Sequence, residues 1–145
     1  MERLLVNGIS VHVEEMGPSD APVVLMSNSL AADVSMWAAQ ARELARNYRV
    51  IRFDARGHGQ TEATDDDYSL DLLADDALSL LDALGIEKVH FIGLSLGGMI
   101  GQLLAVRAPH RLQSLVLCAT FASTSPELWD QRVKAALSTG VAPLV

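Results

Sequence analysis

The sequence predicts an α/β fold built around a mostly parallel sheet. Two observations carry that expectation. Across the 145 residues, apolar runs bounded by Gly, Pro and Asp alternate with segments of helical period, as strand–helix–strand units do. The apolar runs are also nearly continuous, Val89–Leu94 above all, which suits strands buried on both faces. Half the residues are hydrophobic and the mean hydropathy is +0.23. That composition can build a core, and it excludes a disordered or collagen-like chain.

The elements follow in order. Leu4-Leu5-Val6 and Ile9–Val13 flank Asn7-Gly8, a dipeptide that closes two-residue hairpins. Pro22–Met26, Arg49–Phe53, Val89–Leu94 and Leu115–Ala119 read as four further strands. Between them, Met36–Arg46 is Ala-rich and carries Trp37, Ala41 and Leu44 on one side. Ser69 is placed to cap a helix reaching about Leu84, where Gly85 stops it. Its apolar stripe is Leu73, Ala77, Leu80, Leu81 and Leu84. A third helix runs from Leu96 to about Arg107, since Pro109 disfavours helical backbone before it. After Thr120 the character changes, and Ser125-Pro126-Glu127 opens a helical segment through about Leu137.

Charge excludes one class of partner. Eighteen acids face eleven bases for a net −7, the wrong sign for a phosphate-backbone binder, so no nucleic acid is expected. Eight of the acids lie between Glu62 and Asp82, and no Lys or Arg stands between Arg56 and Lys88. This stretch reads as a solvated loop entering the acidic first turn of a helix; a calcium site in Asp65-Asp66-Asp67 is the weaker alternative. No metal site is expected from His, Cys or Asp spacing. The single cysteine, Cys118, can form no intrachain disulfide and reads as a small buried hydrophobe. No apolar run approaches the ~20 residues of a membrane span, and Met1-Glu2-Arg3-Leu4 lacks a leader pattern. The expectation is a soluble cytoplasmic protein with no membrane partner.

Chemistry enters at Gly93-Leu94-Ser95-Leu96-Gly97. The apolar strand runs straight into this G-x-S-x-G segment and a helix begins immediately after it. That is the strand–turn–helix of a nucleophile elbow, where a tight turn lifts a serine above the sheet edge. Glycines two before and two after are needed because backbone and helix crowd the turn, and Gly98 and Gly101 extend the small surface. The competing account is a Gly-rich turn binding an anion at the helix N-terminus. A serine nucleophile also needs two backbone N–H groups aimed at the developing oxyanion. The residue after the serine, Leu96, supplies one, and the loop Ser27-Asn28-Ser29-Leu30-Ala31 is placed to supply the other.

With these residues in view, the chain resembles the N-terminal part of an α/β-hydrolase and is most similar to the 3-oxoadipate enol-lactonases. The resemblance rests on Ser27-Asn28-Ser29-Leu30 followed by Met36-Trp37, on Phe53-Asp54-Ala55-Arg56-Gly57-His58-Gly59, and on Gly93 through Gln102. It implies a three-layer sandwich, with 1–121 the N-terminal part of the core and 122–145 the beginning of a helical cap. It implies Ser95 as nucleophile and Leu96 and Leu30 as the two oxyanion donors, with no cofactor. Trp129 and Ser29 are candidate substrate contacts. Where the lactonases favour Gly, this chain has Ala31, which narrows the allowed backbone.

The base and acid of a triad are harder to find. His90 precedes Ser95 by five residues on one strand, ~16 Å at 3.3 Å per residue, and reads as a packing histidine. His12 lies in the hairpin, and His110 follows Pro109 and is expected at the surface. His58 faces the same sheet edge as Ser95 and is a weak candidate base; in the family its position is structural. Asp54 reads as an acid that bonds its own turn. Trp37, like Trp129, could line a pocket or pack in the core. In the family, acid and histidine follow strands seven and eight, which this chain lacks. The expectation is therefore an incomplete fold with a bare apolar edge at Leu115–Ala119, completed by a second chain that carries the C-terminal part.

The expected activity is hydrolysis of a lactone or carboxylic ester, with the enol-lactone of 3-oxoadipate in aromatic-compound catabolism the first substrate. Esterase or haloperoxidase-like hydrolysis of another small substrate is the nearest rival. A non-catalytic binding module that keeps the pocket is the rival of another class. This chain alone is expected to be nearly inactive.

Overall fold

The structure is a computed structural model that describes residues 2–123 and 125–139; the tail of the expected cap, 140–145, lies outside them. Strand β1 (Glu2–Val6) and strand β2 (Ile9–Met16) form the hairpin. Its turn places Asn7 at φ 45° and Gly8 at φ 81°, the left-handed pair that lets a two-residue turn follow strand twist. Strands β3 (Val23–Ser27), β4 (Arg49–Phe53), β5 (Val89–Leu94) and β6 (Leu112–Cys118) complete one six-stranded sheet in the order β1-β2-β4-β3-β5-β6. Pairing is antiparallel for β1/β2 and β2/β4 and parallel for the rest. The last strand starts three residues earlier than its apolar run suggests. Leu112 and Ser114 pair with Val89 and His90 of β5, with Gln113 passed over at a register shift between them, and a hydropathy pattern does not register this backbone pairing.

Helices cover both faces, because successive strand residues point to opposite sides. Leu25, Ile51 and Phe91 join one buried cluster with Leu73, Ala77, Leu80 and Leu81 of helix α2 (Leu70–Ala83) and Ile100 and Leu104 of α3 (Leu96–Arg107). Val24, Met26 and Val50 point the other way, onto Trp37 and Ala41. Here the single expected helix divides into a 3-10 turn (Val34–Trp37), capped by Asp33, and α1 (Ala38–Leu44). The result is the expected three-layer sandwich. Trp37 is core, 5% exposed, and so drops out as a pocket residue. Ser69 caps α2 by accepting from the Leu72 N–H at 3.1 Å, and Gly85 beyond its end adopts φ 66°.

Strand β6 is the edge of the described sheet. Val116 and Leu117 are 47% and 43% exposed there, and Cys118 is half-buried rather than in the core. Helix α4 (Pro126–Thr139) follows. No described helix is long and apolar enough to cross a membrane.

Candidate active site

Three parallel strands deliver their C-terminal ends to one place. Ser27 at the end of β3 pairs with both Phe53 of β4 and Gly93 of β5. From β3 the chain moves one way to β4 and the other way to β5, so a topological switch point lies between β3 and β5. Ligands of open α/β sheets bind outside strand ends at such a point. A cleft of about 650 Å³ opens there, lined among others by Ser29, Leu30, Asp33, His58, Ser95 and Trp129.

Ser95 occupies the turn between β5 and α3 with φ 51° and ψ −108°, a region costly for a residue with a side chain. The surroundings enforce it. A Cβ on Gly93 would lie 2.2 Å from the Gly97 carbonyl oxygen, and one on Gly97 2.2 Å from that of Ser27. These are backbone atoms that cannot step aside. A Cβ on Gly98 would meet the Thr120 side chain at 2.6 Å, and Thr120 Oγ1 in turn donates to the Ser95 carbonyl at 2.8 Å. The Ser95 N–H donates to the Cys118 carbonyl at 2.9 Å. The turn is thus held from β6 on one side and from β3 on the other.

Leu96 opens α3, where helix N–H groups lack intrahelical partners. Among the described residues neither its N–H nor that of Leu30 has an acceptor. The two loops are tied together: the Asn28 carbonyl accepts from the Gly97 N–H at 3.0 Å. Ala31, where a glycine was expected from the lactonases, sits at φ 60°, so the loop adopts the left-handed turn despite its side chain.

Asp54 bonds more than its own turn. It is 1% exposed. Oδ1 accepts from the Val34 N–H at 2.7 Å and from Asn28 Nδ2 at 3.2 Å, and Oδ2 accepts from the Gln60 N–H at 2.9 Å. Asp33, on the cleft wall, is held below the usual carboxylate range by the Ser35 hydroxyl and amide, which keeps an anion at the rim.

None of the four imidazoles bonds the Ser95 hydroxyl among the described residues. His58 lines the cleft, but its Nδ1–H donates to the Arg56 carbonyl at 2.9 Å. His90 is 2.8 Å from Ser114 Oγ and packs edge-on against Tyr48. His12 is buried beside Glu14 and His110 is exposed. No group of three or more His, Cys, Asp or Glu side chains among the described residues could hold a metal. Trp129 lines the cleft, and its ring lies 6.5 Å from that of Phe121 at a tilt of 55°. Val133 and Ala136 line it too. They were not singled out from sequence, although their spacing from Trp129, four and seven residues on, is that of one helix face.

The family model described as alpha/beta hydrolase fold matches residues 22–139. The chain belongs to the alpha/beta hydrolase family. Within it the chain is 37% identical to 3-oxoadipate enol-lactonase 1 of Acinetobacter baylyi over 95% of its own length and 52% of that protein's. It is 33% identical to RutD of Agrobacterium fabrum, a candidate carbamate hydrolase, over 90% of this chain and 52% of RutD. Among solved alpha/beta hydrolases, the enol-lactonase from Burkholderia xenovorans LB400 superimposes with a TM-score of 0.93 at 40% identity, covering 99% of this chain and 56% of that one. The chain spans about half the length of the curated relatives it matches, and it is their N-terminal half. As a member of that family, this chain carries the half of the fold that holds the Ser95 turn.

Proposed function

We propose that this chain carries the nucleophile half of a serine hydrolase that opens a lactone or cleaves a carboxylic ester. The observation that carries the reading is Ser95 at φ 51° in a glycine-walled turn at the head of the cleft, with the Leu96 amide next to it in the chain and the Leu30 loop tied to the same turn through the Asn28–Gly97 bond. Ser95 Oγ attacks the acyl carbon while a base takes its proton, and the carbonyl oxygen collects negative charge. The Leu30 and Leu96 N–H groups receive that charge before any solvent must reorganise. In a lactone the C–O bond of the ring breaks, leaving an acyl-serine that water releases as the acid. Helix α4 forms the start of a cap over this cleft, with Trp129 and Ser29 against the substrate. The base and acid belong to the C-terminal half of the fold, on further polypeptide.

The enol-lactone of 3-oxoadipate, in cytoplasmic aromatic catabolism, is the substrate we favour, supported by the likeness to two enol-lactonases. A carbamate is the second reading, supported by the RutD likeness. The native protein should react with a fluorophosphonate probe at Ser95, located by peptide mass spectrometry, and Ser95→Ala should abolish the adduct. Turnover of the enol-lactone against a small carbamate separates the two substrates. A folded native protein with no adduct at Ser95 would establish the non-catalytic binding module instead.

A further inference from the structure

We propose that Asp54 is a positioning residue for the oxyanion site, clamping both ends of the loop that holds the Leu30 amide. The proposal rests on the reading of Leu30 as an oxyanion donor and names what aims it. A single oxygen, Oδ1, takes Asn28 Nδ2 at one end of the loop and the Val34 N–H at the other. Leu30 stands between these two attachments. The second oxygen takes the Gln60 N–H and so holds the neighbouring cleft wall, which carries His58. No described Lys, Arg or His lies within ion-pair distance of this buried carboxylate. Its three hydrogen-bond partners are all N–H donors, two on Oδ1 and one on Oδ2.

The clamp reaches the second donor as well. Asn28, the residue Asp54 grips, accepts from the Gly97 N–H through its own carbonyl, one residue past Leu96. The two amides are therefore referenced to each other through Asn28. The loop also holds Ala31 at φ 60°, a strained state that persists only while its ends are held. The fit around the carboxylate is close: a Cβ on Gly59 would lie 2.2 Å from Oδ2.

Two variants of the native protein test this. Asp54→Asn sets an amide NH2 against one of the N–H donors. Val34→Pro removes the Val34 donor and leaves the Asp54 carboxylate intact, while exchanging one buried apolar side chain for another. Val34 begins the 3-10 turn and Asp33 before it is extended (φ −119°, ψ −180°), so proline fits the backbone there. Losing one oxyanion donor outright costs about 10²–10³ in kcat. A donor displaced rather than lost should cost about 10- to 100-fold, with KM changed less than about threefold. Affinity for an alkyl boronic acid, which forms a tetrahedral anion on the serine, should fall in step with kcat. Hydrogen exchange over 28–34 should rise in both variants.

Wild-type kcat and boronate affinity in both variants, with the Ser95 adduct still forming, overturn the proposal and leave the hydrolase standing. Exchange over 28–34 unchanged in both variants overturns the clamp whatever the kinetics. If wild type forms no Ser95 adduct, the hydrolase reading fails and takes the proposal with it.

Discussion

Arg56 and Asp76 meet side by side in the interior, Nε to Oδ2 at 2.8 Å and Nη2 to Oδ1 at 2.7 Å, each only 6% exposed. The carboxylate raises the guanidinium still further above its high ordinary value. The pair joins the turn after β4 to helix α2. It also reaches the hairpin, since Asn7 Nδ2 donates to Oδ1 of Asp76 at 2.7 Å and its carbonyl accepts from Arg56. Removing one partner of such a pair leaves a buried charge and typically costs 3–5 kcal/mol. Asp76→Ala should lower unfolding stability by about 3 kcal/mol in urea titrations. Arg56→Met with Asp76→Leu should lose less than the sum of the single changes. Additive losses would show that the pair is not coupled.

The glycines around Ser95 make a ranked prediction. Gly93→Ala and Gly97→Ala drive a Cβ to 2.2 Å from carbonyl oxygens of the backbone. Each should cost more than about 4 kcal/mol, the exceptional end of single-substitution effects, and lower soluble yield. Gly101→Ala meets only the Leu115 and Phe91 side chains, at 2.9–3.0 Å. Crowding there costs about 1–3 kcal/mol, against about 1 kcal/mol gained in helix propensity. Its net loss should be no more than about 2 kcal/mol, so its denaturation midpoint should fall less than those of Gly93→Ala and Gly97→Ala. A Gly93→Ala protein with wild-type stability would refute the packing described for this turn.

Most of the sheet was legible because hydropathy reports burial on both faces. Arg49–Phe53 and Val89–Leu94 are strands with those same limits, and Ser69 and Gly85 bound α2 through local chemistry. What escaped was set by tertiary contacts. Nothing local marks Asp76 as the partner of Arg56, since an Asp in an acidic helix reads as solvated surface. Nothing in the Asp54 turn announces Val34, twenty residues away, as a donor. Leu112 and Ser114 entered β6 through backbone pairing with β5 on either side of a register shift, which side-chain pattern does not record. Ser95 was legible because its turn is built from residues adjacent in sequence; Asp54's link to the Leu30 loop was not.

Glu15 and Arg49 give the acid-side prediction. Their bidentate contact, 2.8 and 2.9 Å, pairs β2 with β4. The hydrogen bond from Arg49 holds the Glu15 carboxyl below its ordinary value of 4.5. A carboxylate depressed on folding stabilises above the unfolded pKa, and that contribution fades as pH falls through the lowered folded value. Glu15 is 39% exposed, so screening limits the pair to about 0.2–1 kcal/mol. Glu15→Gln should lower the urea midpoint slightly at pH 7, and the gap to wild type should close as pH falls from 4.5 through the lowered Glu15 value. A gap that widens toward acid would contradict the sign of the shift.

Ser95 predicts a conflict between stability and activity. Its φ of 51° with ψ of −108° is a conformation that costs a residue with a Cβ about 1–3 kcal/mol, while glycine reaches it freely. Glycine also adds freedom to the unfolded chain, worth about 0.4–1 kcal/mol against folding. Ser95→Gly should therefore match or exceed wild type in stability by up to about 2 kcal/mol. Ser95→Ala keeps the Cβ and the strain, so its stability should stay within about 0.5 kcal/mol of wild type. Both lose the hydroxyl and should lose the fluorophosphonate adduct alike. Thermal unfolding of the three proteins separates the backbone effect from the chemical one. A Ser95→Gly protein less stable than Ser95→Ala would mean that the turn stores no strain.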